Sequence, residues 1–419
     1  MFYLPAIVLG RLLRFGVRLV RPGGGSALPG LVLSRVAPGI LNKTLRSFSK
    51  GLVVITGSAG KSTTTKMVVA IARAHGLEVF TNPSTANIRQ GFYSSILEKS
   101  NLFGRVRGQI AILEMDEGHA AELVAEVKPN SVTVLNVVED QLDRFIDPAM
   151  VREKLRTVAL AASDCVVMNA DDQNLLQFAG EIQRDKLHWF GMQDRQLASQ
   201  LGYAPTFLEP LPTPLSTTKV LELKDKRVDI AVHGKHVSFE LPSRGMHFAV
   251  DAAAALETAH QVLGSIFNAE LARTTLAALP PVFARGEVVE IQGKKVEFIL
   301  VQNPISTQLN IDNLPKGLER VLFALGTDVH DPAWLWTVHP QNLGTVDVVT
   351  GYNFAEAELW LRHNGFNPQL ATDDLEAAFE HWLALPDPDA SMRTVVFSAD
   401  AMRRIRRMLG FTSPEEVAR

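Results

Sequence analysis

Cysteine is almost missing from this chain: of 419 residues only Cys165 is one. A disulfide framework and a cysteine-built zinc site are therefore excluded, and the usage suits a reducing cytoplasm. Neither sign of charge is in excess. The 42 Lys and Arg stand against 45 Asp and Glu, a net charge of −3, which gives no broad field for holding nucleic acid. No apolar run is long enough to cross a bilayer. The stretch Phe2–Gly10 is too short, and its arginines follow it where a signal peptide would have them first. Internal repeats and low-complexity tracts are missing too. What is left is the composition of an ordinary globular protein, 46% hydrophobic and 21% charged, on a chain long enough for two or three domains.

The most informative stretch is Val53-Val-Ile-Thr-Gly57-Ser-Ala-Gly60-Lys61-Ser62-Thr63. An apolar run suited to a buried strand stops at Gly57, a short turn follows, and a helix-compatible segment opens at Lys61. Binding a nucleoside triphosphate needs this order. Glycines let backbone N–H groups approach phosphates, a helix N-terminus adds positive potential, Lys61 reaches the terminal phosphates and Ser62 offers an oxygen to Mg²⁺. The loop is shorter than the ordinary P-loop, whose first glycine would fall at Ile55. An ordinary strand–turn–helix corner is the alternative.

From about residue 46 apolar strands alternate with amphipathic helices. Strands are predicted over 52–56, 78–81, 109–114, 131–136 and 164–168, and helices over 61–75, 91–99, 118–127 and 149–161. That alternation predicts a doubly wound, mostly parallel sheet with ligands at the carboxyl ends of its strands. Residues 205–242 read as a small β-rich insertion or edge, 247–263 as a helix, and Ala278–Phe283 as a linker to a last α/β domain with strands near 294–301, 320–325, 346–350 and 394–398. At the start, Arg11, Arg14, Arg18 and Arg21 form a basic stripe on a helix. This helix either meets anionic lipid head groups or packs on the next domain with its arginines in solvent. Pro22–Gly30 then breaks it.

Three strand ends carry polar groups. Ala111-Ile-Leu-Glu114-Met-Asp116-Glu117 puts Glu114 where a second Mg²⁺ ligand would sit. Val134-Leu-Asn136 runs on to Asp140-Gln-Leu-Asp143-Arg144, and Val167-Met-Asn169-Ala-Asp171-Asp172 repeats the pattern. Together with the phosphate loop, these segments resemble the central domain of the Mur ligases. More narrowly they resemble the MurT-type subunits of lipid II isoglutaminyl synthases, which pair with a GatD-type glutamine amidotransferase. Gly23–Gly30, Phe283-Ala-Arg285-Gly-Glu287, Asn303-Pro304 and Asp331-Pro-Ala-Trp334-Leu-Trp336 extend the likeness almost end to end.

The resemblance implies a central Mur-ligase-type ATP-binding domain over 46–285, preceded by a basic helix and Gly/Pro-rich connector over 1–45 and followed by a smaller Rossmann-like α/β domain over 286–419. It implies ATP-dependent amidation, with ammonia from the partner, of the D-glutamate α-carboxylate in the lipid II stem peptide. ATP would lie on Gly57, Ser58, Ala59, Gly60, Lys61, Ser62 and Thr63, with Asn87, Asn169, Asp172 and Asp251 around it. Mg²⁺ would lie on Ser62 and Glu114. Lys61, Glu114 and Arg285 would act in phosphoryl transfer, and Asp331 would reach the partner's catalytic histidine. The expected location is cytoplasmic, with lipid II as substrate bringing the chain to the membrane surface.

Departures from the family pattern accompany this. Its members typically carry four zinc-ribbon cysteines, so no zinc is expected here. Gln302 stands for a usual lysine and Thr337 for a usual acid, and Asp251 falls where relatives tend to have asparagine. These changes motivate a nucleotide-binding scaffold as an alternative, beside a ligase of the same fold that adds an amino acid. His75, His188 and His260 read as packing or surface residues, Trp334 and Trp336 as interface or local core, and Arg403, Arg404, Arg406 and Arg407 as a solvated helix face.

Overall fold

The computed structural model describes residues 3–20, 27–83, 87–138, 147–206, 208–280, 284–388 and 392–411. The stretch Asp140–Arg144 and residue Phe283 lie outside these. The described chain divides into two units. The first runs within the segments ending at Val138, Leu241 and Leu279, and the second takes Pro242–Gly245 and the chain from Pro280 onward.

The first unit begins with three helices, α1 (Leu4–Val20), α2 (Ala27–Val36) and α3 (Gly39–Leu45). The alternating part follows as β1 (Leu52–Thr56), α4 (Lys61–Ala74), β2 (Val79–Phe80), α5 (Arg89–Lys99), β3 (Ile110–Glu114), α6 (Glu117–Val124), β4 (Ser131–Val134), α7 (Pro148–Leu160), β5 (Cys165–Asn169), α8 (Gln173–Ala179), β6 (Leu187–Met192) and α9 (Arg195–Ala198). Three strands, β7 (Thr218–Lys224), β8 (Arg227–Val232) and β9 (Lys235–Glu240), and two helices, α10 (Met246–Leu263) and α11 (Ala269–Ala277), complete it. The sheet order is β2-β3-β1-β4-β5-β6-β7-β8-β9, parallel as far as β7 and antiparallel beyond. Every residue of β1, β3, β4 and β5 is buried, as a parallel sheet covered on both faces requires. Val53, Ile55, Ile110, Ile112 and Val167 form one core with α4, α10 and α11. The strand order reverses at β1, so the crevice outside its carboxyl end is the fold's natural ligand position.

The predicted strands and helices of this unit are present to within a few residues. The sequence reading omits α2, α3, α8, β6, α9 and α11. Pro29 is tolerated in the first turn of α2, and Gly30 is there because a Cβ would run into the Gln90 carbonyl of α5.

The N-terminal helix packs on α5, as one of the two sequence readings has it, but Arg11 and Arg14 are not left to solvent. Arg11 donates to the Leu97 and Ser100 carbonyls at the C-terminal end of α5, and Arg14 pairs with Glu98 at 2.7 Å. Cations at a helix C-terminus meet its negative dipole end. Arg11 and Arg14 therefore turn inward, and among the described side chains of α1 the exposed positions are Pro5, Val8, Leu9, Leu12, Phe15 and Gly16.

The second unit has β10 (Arg285–Ile291), β11 (Lys294–Leu300), α12 (Pro304–Asp312), β12 (Val321–Ala324), β13 (Val346–Thr350), α13 (Phe354–His363), β14 (Leu370–Thr372), α14 (Leu375–Ala384), β15 (Met392–Phe397) and α15 (Ala399–Met408). Its order is β10-β11-β15-β12-β13-β14, with only the β10–β11 hairpin antiparallel. Buried clusters lie on both faces. Arg406 corrects the reading of the α15 arginines as a solvated face: it is buried at 3% exposure and pairs with Glu287 at 2.9 Å. Arg403 and Arg407 do remain exposed.

Candidate active site

The phosphate loop is built by β1, α4 and the strand next door. Gly57 has φ +134, and a Cβ there would lie 2.9 Å from both the Asn136 nitrogen and the Leu135 Cβ. Gly60, the N-cap of α4, has φ +83, and a Cβ there would collide with the Asp251 carboxylate. Both glycines are thus required twice, by backbone conformation and by close approach. Asn136, two residues past β4, braces the turn: its carbonyl accepts from Ser58 N at 2.9 Å and its side chain bonds Ala59 N at 2.8 Å and Ala59 O at 3.2 Å.

Lys61 opens α4. Its ammonium donates to the Gly57 and Ser58 carbonyls and to Glu117 Oε1 at 3.0 Å, with side-chain exposures of 14% for Lys61 and 5% for Glu117. Ser62 Oγ donates to Glu114 Oε1 at 3.0 Å, and Asn87 Nδ2 lies 3.4 Å from the same oxygen. Asn82 fixes the end of β3 by bonding both Glu114 N and Glu114 O at 3.0 Å. A hydroxyl and a buried carboxylate that already meet at one point form the oxygen pair that a hard divalent cation takes, so the residues fit Mg²⁺.

The predicted residues divide into three groups. Gly57 to Thr63, Asn87 and Glu114 come together at the carboxyl ends of β1 and β3, and Asp251 stands beside them at Gly60. Asn169 and Asp172 lie at the end of β5, and both are fully buried. Asn169 donates to Leu135 O at 3.0 Å and to the Tyr203 hydroxyl at 2.8 Å, and accepts from Asp171 N. Asp172 caps α8 and accepts from Val137 N at 2.6 Å and Asn174 N at 2.9 Å. Burial without a cation pushes its carboxyl up to about 7, against the lowering effect of those backbone donors. In this structure both residues brace the loops after β4 and β5 from below.

Arg285 and Asp331 belong to the second unit. Arg285 opens β10, half-buried, and its carbonyl accepts from Ser243 Oγ. Asp331 is exposed and caps a short 3₁₀ turn through Ala333 N at 2.9 Å. Beside it, Trp334 packs on the local core while Trp336 is 47% exposed.

Sequence reading had taken Glu117 and Asn136 only as polar strand ends, and had passed over Asn82 and Tyr203. The adjacency of β1 to β3 and β4 is the missing signal, because it turns those strand ends toward the loop.

Known proteins share the fold and part of the sequence. A model of the Mur ligase middle domain matches residues 55–259. The chain is 24% identical, over 93% of its length and 94% of the relative's, to the lipid II isoglutaminyl synthase (glutamine-hydrolyzing) subunit MurT of Streptococcus pneumoniae. It is 28% identical over 45% of its length, and 41% of the relative's, to the corresponding MurT of Staphylococcus aureus. The MurF ligase of Thermotoga maritima, solved with ADP, superposes with a TM-score of 0.65 over 92% of this chain and 83% of that one, at 18% identity. The chain thus has a Mur-ligase-type α/β fold with a phosphate loop. Within that fold the chain is similar to the MurT subunits, to one of them along nearly its whole length.

Proposed function

We propose that this chain is the ligase subunit of a lipid II isoglutaminyl synthase, an ATP-dependent carbon–nitrogen ligase. The observation that carries the reading is the meeting of Ser62, Asn87 and Glu114 beside the Gly57–Thr63 loop, in a chain similar to MurT along nearly its whole length. The γ-phosphoryl of ATP passes to the α-carboxylate of D-glutamate in the stem peptide, releasing ADP and leaving an acyl phosphate. Ammonia then attacks the carbonyl carbon, phosphate departs, and the lost proton completes the amide.

Phosphoryl transfer needs positioning and charge compensation more than covalent help. The first-turn N–H groups of α4 and the Lys61 ammonium would compensate the charge of the phosphates. Ser62 and Glu114 would hold Mg²⁺, which neutralises charge on the terminal phosphates. Asn87 orients the acceptor beside Glu114. Arg285 is assigned to the transferred charge and Asp331 to orienting the partner's histidine. The chain holds no cysteine–histidine pair for glutamine hydrolysis, since Cys165 is buried and its thiol is pushed up to about 12. A GatD-type chain would therefore supply ammonia.

A lipid-linked substrate also gives α1 an occupant. Its exposed positions among the described side chains are all apolar, with Leu12 64% and Phe15 65% exposed, and Leu102 and Phe103 are exposed on the loop beside Tyr3. The chain has no Asp or Glu before Glu78, whereas arginines and lysines recur throughout that stretch. An apolar face in basic surroundings fits an anionic bilayer.

The test is incubation with lipid II, Mg·ATP and a high ammonium concentration, followed by mass spectrometry for exchange of one carboxylate for an amide. Product that depends on ATP and on Lys61 supports the reading. If none forms even with a GatD-type chain and glutamine added, the reading fails.

A further inference from the structure

Away from the phosphate loop, α10 and the β8–β9 hairpin build a second cluster. Glu257 and His260 are three residues apart on α10 and so lie on one face of the helix. His233 arrives from the opposite side, at the first position of the two-residue turn His233–Gly234 that joins β8 to β9. The φ angles there are +47 and +81, those of a type I′ turn. Such a turn favours asparagine at its first position, so a histidine held at positive φ is a costly choice for the backbone alone. The side chain explains it: His233 Nε2 lies 2.9 Å from Glu257 Oε2 and 3.1 Å from Oε1.

The surroundings hold the Glu257 carboxylate in place. Glu257 is fully buried, and its oxygens accept from Thr218 Oγ1 at 2.5 Å and Gln261 Nε2 at 2.7 Å, which fixes the carboxylate plane. Carboxylate ligands are oriented in this way by outer donors. The imidazoles of His233 and His260 stack with centroids 3.7 Å apart and planes 11° from parallel, so one ring must turn out of the stack for both to meet an ion in their planes. His260 Nδ1 is buried with no hydrogen-bond partner. One ligand atom from each of the three residues lies within 4.8 Å of the other two.

We infer that His233, Glu257 and His260 bind a Zn²⁺ ion, through two imidazole nitrogens and one carboxylate. Two nitrogens and an oxygen suit zinc, and a three-residue set leaves a fourth position to water. On this inference His260 is a ligand where the sequence reads it as a packing residue, and the chain takes zinc where the sequence reading expects none. The ion would tie the hairpin turn to α10, whose earlier turns carry Asp251 against Gly60. The cysteines of a zinc ribbon are not involved, and the inference does not rest on the proposed amidation.

The test uses the full chain, stripped with a chelator and titrated with ZnCl₂ by calorimetry in excess Mg²⁺. One Zn²⁺ should bind and raise Tm. Co²⁺ in its place should give the visible d–d absorption of a low-coordinate nitrogen site. His233→Asn is the decisive variant, because asparagine satisfies the I′ turn and keeps the hairpin while removing a ligand. It should remain folded in chelator, with any fall in Tm limited to the loss of the His233–Glu257 bond. Its zinc affinity should fall by more than the roughly 10–100-fold that loss of an orienting partner costs. Thr218→Val should lose affinity within that range, and Cys165→Ala should lose none. Absence of stoichiometric binding, or equal binding by wild type, His233→Asn and His260→Ala, would leave only a His–Glu ion pair and overturn the inference.

Discussion

Lys61 and Glu117 form an ion pair at 3.0 Å in which both side chains are almost out of solvent. The lysine of the phosphate loop therefore has a resident counter-charge, and a bound triphosphate would take over part of that role. Glu117→Gln should destabilise the nucleotide-free chain by about 1–3 kcal/mol, because a nearly buried ammonium loses its acid. Mg·ATP should then raise Tm more in this variant than in wild type. Lys61→Ala should lower the amidation rate by roughly 10²–10³ through loss of charge stabilisation. Wild-type turnover in Lys61→Ala would dismiss the catalytic reading, and equal nucleotide shifts in wild type and Glu117→Gln would dismiss the exchange of partners.

Asp172 makes a prediction about pH. Its carboxyl is raised from an ordinary 3.8 to about 7 by burial. The folded state thus binds the proton more tightly than the unfolded state. The resulting stability is complete below about pH 4 and is lost as pH rises through about 7. Between pH 5 and pH 8 the wild type should lose up to about 2–3 kcal/mol that Asp172→Asn does not lose. Thermal denaturation of both proteins across that range measures the difference. Parallel curves would mean that Asp172 stays ionised in its cage of backbone N–H groups.

The alternation of apolar strands with amphipathic helices is a local signal, so β1 to β5 and their helices were legible from the sequence to within a few residues. The loop was legible because its glycines and Lys61 are adjacent in sequence. What pairing decides was not legible. Glu117 reaches Lys61 and Asn136 reaches Ala59 only because β3 and β4 flank β1. The orientation of α1 was misread for a related reason: a basic stripe looks solvent-facing until the C-terminal carbonyls of α5 are placed beneath it. Arg406 shows the same limit, since its partner Glu287 lies 119 residues away. The trio His233, Glu257 and His260 spans two elements joined by a hairpin turn, and no spacing rule would have found it.

Asp331 separates the two halves of the proposed reaction. It is exposed and spends one carboxylate oxygen on Ala333 N, a bond that asparagine can keep. Asp331→Asn should therefore leave Tm nearly unchanged. With the GatD-type partner present, amidation driven by glutamine should fall steeply while amidation driven by ammonium is spared. Equal loss of both activities would show that Asp331 does not serve the glutaminase site.

The outward face of α1 gives the last prediction. Burying a leucine or phenylalanine side chain is worth about 1.5–3 kcal/mol, so Leu12, Phe15 and their neighbours can together hold a protein reversibly on a bilayer. The purified chain should cosediment with vesicles containing phosphatidylglycerol and much less with neutral phosphatidylcholine vesicles. Added salt should weaken the binding by screening the basic surroundings. Leu12→Asp and Phe15→Asp, both at exposed positions, should abolish cosedimentation without lowering Tm. A second copy of the chain is the competing occupant. If Leu12→Asp instead converts a dimer to a monomer in solution and leaves vesicle binding unchanged, α1 is a dimer face and the bilayer assignment is wrong.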